Sequence, residues 1–178
     1  YVGYEQNGSN WWYVYGGQVC FQATDVLPGT VGGQYGWWKV CEGKVNFDDD
    51  VCENAYGWWK ITTGKVDFQY TGLAQNACGW WMIQNGHVNF GSNGLVDNGN
   101  GWWLVKNGGV DFNYNGLVDN GNGWWLIRNG YVDFNYNGLV DNGNGWWLVK
   151  NGCVDFSYQG YVQNECGVWW VSNGQVQF

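Results

Sequence analysis

All sixteen tryptophans of this 178-residue chain occur in adjacent pairs. The eight pairs are Trp11–Trp12, Trp37–Trp38, Trp58–Trp59, Trp80–Trp81, Trp102–Trp103, Trp124–Trp125, Trp146–Trp147 and Trp169–Trp170. Three nearly identical segments begin at Gly101, Gly123 and Gly145, and the first of them reads GWWLVKNGGVDFNYNGLVDNGN. A fixed period of this length is typical of a repeat protein, in which each repeat packs mainly against its neighbours.

The period is 22 residues over most of the chain. Successive second tryptophans from Trp12 to Trp147 are separated by 26, 21, 22, 22, 22 and 22 residues. In the last repeat, alignment of the Asn173-Gly174 turn makes Trp169 the equivalent of the second tryptophan and Val168 that of the first. The long first step is an insertion at 25–30, which we expect to be a surface loop. We therefore predict one repeat domain over 1–178, with an N-terminal capping unit (1–35, including the inserted loop), regular repeats (36–166) and a C-terminal capping hairpin (167–178).

Each repeat contains the sequence signature of a β-hairpin. Asn107-Gly108 separates two short strand-like segments, and Asn-Gly is the dipeptide that a two-residue type I′ turn prefers. This turn predicts four facing pairs: Lys106 with Gly109, Val105 with Val110, Leu104 with Asp111, and Trp103 with Phe112.

Alternation along the strands sorts these side chains onto two faces. The face predicted to form the core holds Trp103, Val105, Val110 and Phe112, and its equivalents are apolar in the other repeats. The opposite face is mixed and holds Trp102, Leu104, Lys106 and Asp111. The second tryptophan of each pair is thus predicted to be a core residue, whereas the first lies on the opposite face.

The remaining stretch of each repeat, 113–123 in one example, is predicted to be a returning connection. It holds an apolar plug, Leu117 and Val118, and a Gly-rich turn. A single hairpin is marginally stable, but stacked hairpins bury a continuous core. The predicted fold class is all-β: a solenoid of about eight stacked β-hairpins with a 22-residue repeat.

The composition excludes several classes of protein. One residue in five is aromatic and only 12% are charged, which argues against intrinsic disorder. No run of 18 apolar residues is present, so we expect no membrane span. Seven Lys and Arg against fifteen Asp and Glu leave no basic surface for nucleic acid. With one histidine and no dispersed catalytic set, we expect no enzymatic activity and no cofactor.

The repeat resembles the choline-binding and glucan-binding cell-wall repeats of secreted Gram-positive bacterial proteins. The shared pattern is Gly-Trp, five residues to a turn glycine, a short strand with an aromatic residue and a later glycine. Trp103, Trp125 and Trp147 correspond to the tryptophan of that family, and the Gly-Trp-Trp form resembles a variant in Firmicute surface proteins. The resemblance implies hairpins stacked in a superhelix, with ligands between consecutive hairpins against aromatic rings. Val110 and Asp111 stand where the family usually has a second aromatic pair.

The first tryptophans and the strand aspartates are the candidate ligand-binding residues. Exposed contiguous aromatic rings mark contact surfaces, and flat rings stack well on sugars. The rings either pack between neighbouring hairpins or form a ladder for a ligand. The aspartates either accept hydrogen bonds from sugar hydroxyls or pair with Lys106 and its equivalents. The candidate residues are Trp58, Trp80, Trp102, Trp124, Trp146, Asp111, Asp133 and Asp155.

Two further features have a structural interpretation and a functional one. The segment Asp97-Asn98-Gly99-Asn100 recurs at Asp119 and Asp141 and resembles part of a calcium loop, although Asx-turn chemistry explains it without a metal. His87 follows a turn at a variable position, expected to be exposed. Because no second catalytic or metal-ligating residue accompanies His87 in a recognisable motif, we expect it neither to act in catalysis nor to bind a metal.

Six cysteines in a short chain favour an oxidising, extracellular compartment. Fifteen pairings are possible, and the positions in the repeats favour Cys41 with Cys52 and Cys153 with Cys166. By elimination, Cys20 would then join Cys78. The absence of a signal peptide is expected of a mature secreted chain.

These observations predict a secreted, non-catalytic repeat module at the cell surface that binds a glycan or cell-wall polymer. Weak sites at a fixed spacing would add by avidity. Two alternatives stay open. Stacked hairpins with unpaired ends suit a homopolymer, such as the subunit of an extracellular filament or surface layer. A receptor-binding module of a toxin or adhesin would use the same surface for another partner.

Overall fold

The computed structural model describes residues 1–178 and contains strands but no helix. No segment therefore forms a long apolar helix that could cross a membrane. The chain divides into two compact units: residues 1–92 with 107–109, and residues 93–106 with 110–178. The single repeat domain expected from the sequence stays a prediction.

Twenty-four short strands are defined in chain order. The first twelve are β1 Val2–Asn7, β2 Asn10–Tyr15, β3 Gln18–Val19, β4 Asp25–Val31, β5 Gln34–Cys41, β6 Lys44–Val45, β7 Asp50–Asn54, β8 Gly57–Thr62, β9 Lys65–Val66, β10 Gly72–Asn76, β11 Gly79–Gln84 and β12 His87–Val88. The others are β13 Gly94–Asp97, β14 Trp102–Lys106, β15 Gly109–Val110, β16 Gly116–Asp119, β17 Trp124–Arg128, β18 Tyr131–Val132, β19 Gly138–Asp141, β20 Trp146–Lys150, β21 Cys153–Val154, β22 Gln159–Asn164, β23 Gly167–Ser172 and β24 Gln175–Val176.

Each regular repeat consists of three antiparallel strands rather than two. In β16–β17–β18, Leu117 pairs with Leu126 in the first hairpin and Ile127 pairs with Val132 in the second. The prediction that residues 113–123 form a connection with an apolar plug is therefore wrong in part, because residues 116–119 form a strand. Its backbone groups are paired with the long strand that follows, which an irregular connection would have left unpaired.

The type I′ turns are confirmed. Asn129 and Gly130 have φ of 50° and 76°, and the flanking residues Arg128 and Tyr131 face each other. Both central residues of this turn need a positive φ, which Asn and Gly adopt at the lowest steric cost.

Each turn also connects its hairpin to the preceding repeat. The Gly130 N–H donates to the carbonyl oxygen of Tyr114 at 3.1 Å, and the Gly130 carbonyl accepts from Leu104 N–H at 2.8 Å. One residue further, Tyr131 pairs with Trp103 of the preceding hairpin. The hairpins within each unit therefore stack through backbone hydrogen bonds as well as side chains. The all-β hairpin solenoid with a 22-residue repeat is confirmed.

The core lies on both faces of the long strands. Val105 and Ile127 are fully buried, as predicted, but Leu104 and Leu126 are only 3% and 4% exposed. Placing these leucines on a mixed outer face was wrong, because the next hairpin covers them: Leu104 packs in one cluster with Ile127 and Val132.

The phenylalanine of each repeat lies at the edge of this core. Phe112 was expected in the core but is 41% exposed. The short strand ends two residues earlier, at Val110, so Phe112 lies beyond it and contacts the ring of Trp103 edge-on, with the centroids 5.7 Å apart.

The prediction of a surface loop at 25–30 is also wrong. This segment belongs to strand β4, which pairs with β5 over seven residues and places Pro28 opposite Trp37. Its apolar residues Val26 and Val31 are each 3% exposed. Burial of these side chains explains why an insertion with a proline is a strand.

Candidate ligand-binding grooves between hairpins

The first tryptophan of a repeat packs against the second tryptophan and the phenylalanine of the following repeat. The Trp124 ring lies 4.9 Å from that of Trp147 and 5.6 Å from that of Phe156. Trp147 and Phe156 are 5.7 Å apart, so the three rings contact one another mutually. We call such a set an aromatic triad.

Three more triads are closed in the same way. They are Trp37–Trp59–Phe68, Trp58–Trp81–Phe90 and Trp102–Trp125–Phe134, with centroid separations between 4.9 and 6.4 Å. The first tryptophans, Trp80 included, are all partly buried. Of the two interpretations of these rings, packing between hairpins is what the structure shows.

The last triad, Trp146–Trp169–Phe178, is open. Trp169 and Phe178 contact each other at 5.6 Å, but Trp146 makes no ring contact with either. A pocket of about 240 Å³ lies between them, and Leu139, Asn164, Cys166 and Val176 complete its lining. Sequence reasoning missed this pocket, because the residue types of this triad match those of the closed ones.

The indole N–H groups of the second tryptophans have two different environments. Trp59 and Trp81 donate to the side-chain oxygens of Asn54 and Asn76 at 2.9 and 3.0 Å, and Trp169 donates to Asn164 in the same way. The indole nitrogens of Trp125 and Trp147 are buried without a partner. A buried donor without an acceptor is uncommon and costs stability.

The unpartnered indoles follow Asp-Asn-Gly-Asn loops. Asn120 stands five residues before Trp125, as Asn54 does before Trp59, and its side-chain oxygen accepts from the Asn122 N–H at 3.0 Å, as that of Asn54 accepts from the Tyr56 N–H at 2.9 Å. Only the Asn54 oxygen accepts from the indole as well. Asp119 likewise accepts from the Gly121 N–H at 2.8 Å. The Asx-turn interpretation of these loops is confirmed, and no cluster of three or more His, Cys, Asp or Glu side chains is arranged to hold a metal.

A groove of about 500 Å³ lies between two consecutive loops of the second unit. Its lining combines one indole with amides and carboxylates: Asn93, Gly94, Leu95, Asp97, Trp102, Asp119, Asn120 and Asn122. For each lining residue, the residue 22 positions later in the sequence is of the same type. The chain therefore presents the same set of groups again beside Trp124.

The strand aspartates are engaged within the protein. The Lys106 ammonium lies 2.9 Å from a carboxylate oxygen of Asp111 and 4.3 Å from the centroid of the Tyr114 ring. The hydrogen bond from Lys106 lowers the pKa of Asp111. Arg128–Asp133 and Lys150–Asp155 repeat the ion pair at 3.3 and 2.9 Å. Pairing with lysine, one of the two interpretations of these aspartates, is what the structure shows.

A second polar cluster lies in the first unit. Lys39 donates to Asp50 at 2.6 Å, and the Cys52 thiol donates to the same carboxylate at 3.4 Å. Burial acts to raise the pKa of Asp50, but hydrogen bonds from Lys39 and the Val51 N–H outweigh it, so this pKa is lowered. Burial, together with the nearby carboxylate, raises the pKa of the Cys52 thiol to about 12. This thiol is therefore a poor nucleophile at neutral pH.

The predicted disulfides are absent, since all six cysteines are free. Cys52 donates to Asp50 instead of joining Cys41. Cys153 pairs with Trp125 of the preceding hairpin, whereas Cys166 lies in the exposed turn between β22 and β23. The third predicted pair, Cys20 with Cys78, is also absent. These residues belong to hairpins three repeats apart, whereas each hairpin contacts only its neighbours in the stack.

His87 is partly buried rather than exposed. Its ring meets that of Trp59 edge-on, with the centroids 4.9 Å apart. Tyr131 covers Trp103 in the same way at 4.9 Å. The variable position after the turn therefore supplies a cover for the second tryptophan of the preceding hairpin.

Comparison with known proteins gives a match to one family model. The model described as choline-binding repeat matches residues 69–89, 91–111, 113–133 and 135–155. No curated protein sequence matches the chain.

Among solved structures, the chain is similar to CbpJ from Streptococcus pneumoniae TIGR4, with 18% identity over 96% of this chain and 58% of that one and a TM-score of 0.39. It is also similar to choline binding protein F from Streptococcus pneumoniae, with 19% identity over 97% and 58% of the two chains and a TM-score of 0.39. An alternansucrase in complex with isomaltononaose matches at 12% identity over 99% and 16%, with a TM-score of 0.34. The chain spans 58% of the length of the first two proteins. Four consecutive segments between residues 69 and 155 thus match the choline-binding repeat, the family that the sequence resembles.

Proposed function

We propose that this chain is a non-catalytic module that binds an extracellular carbohydrate or cell-wall polymer in the grooves between consecutive hairpins. The observation that carries the proposal is the groove beside Trp102, where an aromatic ring lies among amide and carboxylate groups. Sugar-binding sites need this combination, because a pyranose has an apolar C–H face and a rim of hydroxyls.

The groups of the groove divide these tasks. Trp102 supplies the apolar surface, Asn120 and Asn122 supply amides, and Asp97 and Asp119 supply carboxylates. The Asx turns engage the Oδ1 atoms of the two aspartates, and their Oδ2 atoms make no hydrogen bond within the protein. Hydroxyl groups of a ligand can therefore donate to these oxygens without disrupting the loops.

Repetition of the groove supports a polymeric ligand. The lining residues recur 22 positions later, so a second copy of the same groups stands beside Trp124. Two weak subsites on one chain bind a polymer more tightly than either binds a single sugar, because the second contact is intramolecular. A polymer of the cell wall also agrees with the choline-binding repeat match, and we propose a secreted, cell-surface location for the chain.

The experiment is a binding panel read by tryptophan fluorescence and by co-sedimentation. Insoluble peptidoglycan, soluble α- and β-glucans, teichoic acid and choline are tested against the full chain. We expect at least one polymer to bind, and Asp119→Asn combined with Asn122→Ala to weaken this binding. Asn135→Ala, at an exposed position outside the groove, is the matched control and leaves it unchanged. Failure of every polymer to bind, or binding that the groove variant does not affect, overturns the proposal.

A further inference from the structure

Fifteen Asn-Gly pairs occur in the chain, and their surroundings differ. In such a pair the backbone nitrogen of the glycine can attack the side-chain carbonyl carbon of the asparagine, because glycine has no Cβ to obstruct the approach. The product is a cyclic succinimide, and the asparagine loses its amide group. The environment of the glycine N–H therefore decides which of these asparagines is stable.

In the type I′ turns, the glycine N–H is bound to the preceding repeat. The Gly130 N–H donates to the carbonyl oxygen of Tyr114 at 3.1 Å, and Gly130 is buried. A peptide carbonyl is too weak a base to remove the proton of an amide, and the hydrogen bond holds the nitrogen in the stack. Asn129, which precedes Gly130, is therefore protected. The glycines of four other turns, Gly86, Gly108, Gly152 and Gly174, donate to the preceding repeat in the same way at 2.8–3.1 Å.

In the Asp-Asn-Gly-Asn loops, the glycine N–H lies beside a stronger base. The Gly121 N–H donates to Asp119 Oδ1 at 2.8 Å, so a carboxylate stands where the proton of this nitrogen has to go. Gly121 is exposed, and a Cβ there would meet nothing within 4 Å, so no neighbouring repeat packs on it. Asp119 is therefore placed to act as a general base toward Gly121.

The loop also places a donor at the side-chain oxygen of the asparagine. The Asn122 N–H donates to Asn120 Oδ1 at 3.0 Å. Attack on Asn120 Cγ moves negative charge onto this oxygen, and an N–H group already directed at it stabilises that charge. The loops of Asn98 and Asn142 contain the same two hydrogen bonds at the same lengths. In no other Asn-Gly pair does the glycine N–H donate to a carboxylate.

We propose that Asn98, Asn120 and Asn142 are sites of spontaneous deamidation that their own loops promote. In the loop of Asn120, Asp119 takes the proton from Gly121 N while this nitrogen forms a bond to Asn120 Cγ. The bond between Cγ and Nδ2 then breaks, and Nδ2 takes up the proton and leaves as ammonia. Water adds to either carbonyl carbon of the succinimide and opens the ring, which gives aspartate or isoaspartate.

Deamidation changes the charge of the groove beside Trp102. Asn120 lines this groove together with Asp97 and Asp119, so its conversion places a third carboxylate there. Each converted loop also adds one negative charge to a chain whose net charge is −8. The covalent step does not depend on the proposed function, since it requires only the loop and water.

The test is incubation of the full chain at neutral pH, with peptide mapping by mass spectrometry at intervals. We expect Asn98, Asn120 and Asn142 to deamidate at least about tenfold faster than Asn122, since a positioned general base contributes about a hundredfold or more. Asn122 is the matched control, because it is exposed and followed by glycine in the same loop, but no carboxylate accepts from the Gly123 N–H. Equal rates at Asn120 and Asn122 overturn the inference.

Asp119→Asn separates the general base from the shape of the loop. The new side chain retains an oxygen that can accept from the Gly121 N–H, but it is not a base. We expect deamidation of Asn120 to slow to about the rate of Asn122, whereas Asn98 and Asn142 in the same molecule keep their rates and show that the chain is folded. An unchanged rate at Asn120 overturns the inference.

The unmodified chain in urea gives a readout that does not depend on the folding of a variant. Unfolding removes the hydrogen bonds of the loops and of the turns alike, so we expect the rates at Asn120, Asn122 and Asn129 to become similar. A preference for Asn120 that persists in urea would show that the local sequence sets the rate, and it would overturn the role of the folded loop.

Discussion

The rings of Trp124 and Trp147 lie 4.9 Å apart, although they belong to successive hairpins. The first tryptophan of one repeat thus covers the second tryptophan of the next, and Phe156 closes the triad. A repeat whose short strand has two residues cannot bury an indole by itself. The Trp-Trp pair provides the missing cover, because the first ring of the pair packs against the second ring of the pair in the next hairpin.

Replacement of Trp124 tests the contribution of a triad to stability. We expect Trp124→Ala to lower the free energy of unfolding by about 2–3 kcal/mol, somewhat below the cost of deleting a fully buried tryptophan, since this ring is partly buried. Urea denaturation measures the change. Trp170→Ala is the control, because this ring is 39% exposed and contacts only Tyr161 among the aromatic residues. An equal loss in both variants would contradict the covering role of Trp124.

The turn and the period could be predicted from the sequence because both depend on local signals. Asn129-Gly130 specifies a type I′ turn by the two positive φ angles that it needs, whatever the surroundings. The strand at 116–119 could not be predicted in this way. Its apolar part is only Leu117 and Val118 between Gly and polar residues, and its partner strand β17 lies beyond the Gly-rich loop that follows it.

The candidate site could be predicted only as a set of residue types. The sequence places Asp111 five residues after Lys106 across the turn, so their pairing was one of two interpretations. The open triad was not accessible to this reasoning, because Trp146, Trp169 and Phe178 have the same residue types as the members of the closed triads. Its opening depends on the distances between rings in three dimensions.

Turn glycines are predicted to be intolerant of a side chain where the preceding repeat packs on them. A Cβ on Gly130 would lie 2.5 Å from the carbonyl oxygen of Asp111, and φ is +76°. Gly121 has a similar φ, +84°, but a Cβ there would meet nothing within 4 Å. We expect Gly121→Ala to cost about 1–2 kcal/mol for backbone strain alone, and Gly130→Ala to cost clearly more. Thermal denaturation of both variants measures the difference, and equal losses would exclude the contact as its cause.

The ion pair across the turn is predicted to contribute little through its charge. The side chains of Lys106 and Asp111 are 46% and 27% exposed, and pairs of this kind contribute about 0–1 kcal/mol. Asp111 also accepts from the Asn113 N–H at 3.1 Å, so its side chain caps a turn. We therefore expect Asp111→Ala to destabilise the chain more than Lys106→Ala in urea denaturation. The opposite order would show that the charge and the cation–π contact of Lys106 dominate.

Stability is predicted to fall at acid pH through carboxylates such as Asp50. Because its pKa is lowered in the folded state, Asp50 stabilises the protein above its ordinary pKa of about 3.9, and this contribution is lost as the pH falls through the folded value. Urea midpoints measured from pH 7 to pH 2 should therefore decline below about pH 4. Asp50→Asn should reduce the decline without removing it, since the pKa values of Asp49, Asp111 and Asp155 are also lowered. An identical pH profile in the variant would contradict this assignment.

The six free cysteines predict a specific pattern of thiol reactivity. In the native protein, an aromatic disulfide reagent at neutral pH should modify the exposed Cys78 and Cys166 first. Cys52 should react last, because it is partly buried and its pKa is raised to about 12, which leaves almost no thiolate. After denaturation without reductant, all six thiols should be titrated, and reductant should leave the melting temperature unchanged. Recovery of a Cys41–Cys52 or Cys153–Cys166 peptide from non-reduced digests would overturn the free-thiol assignment. It would also mean that Cys52 leaves its hydrogen bond to Asp50, or that Cys153 leaves its place beside Trp125, when the chain is oxidised.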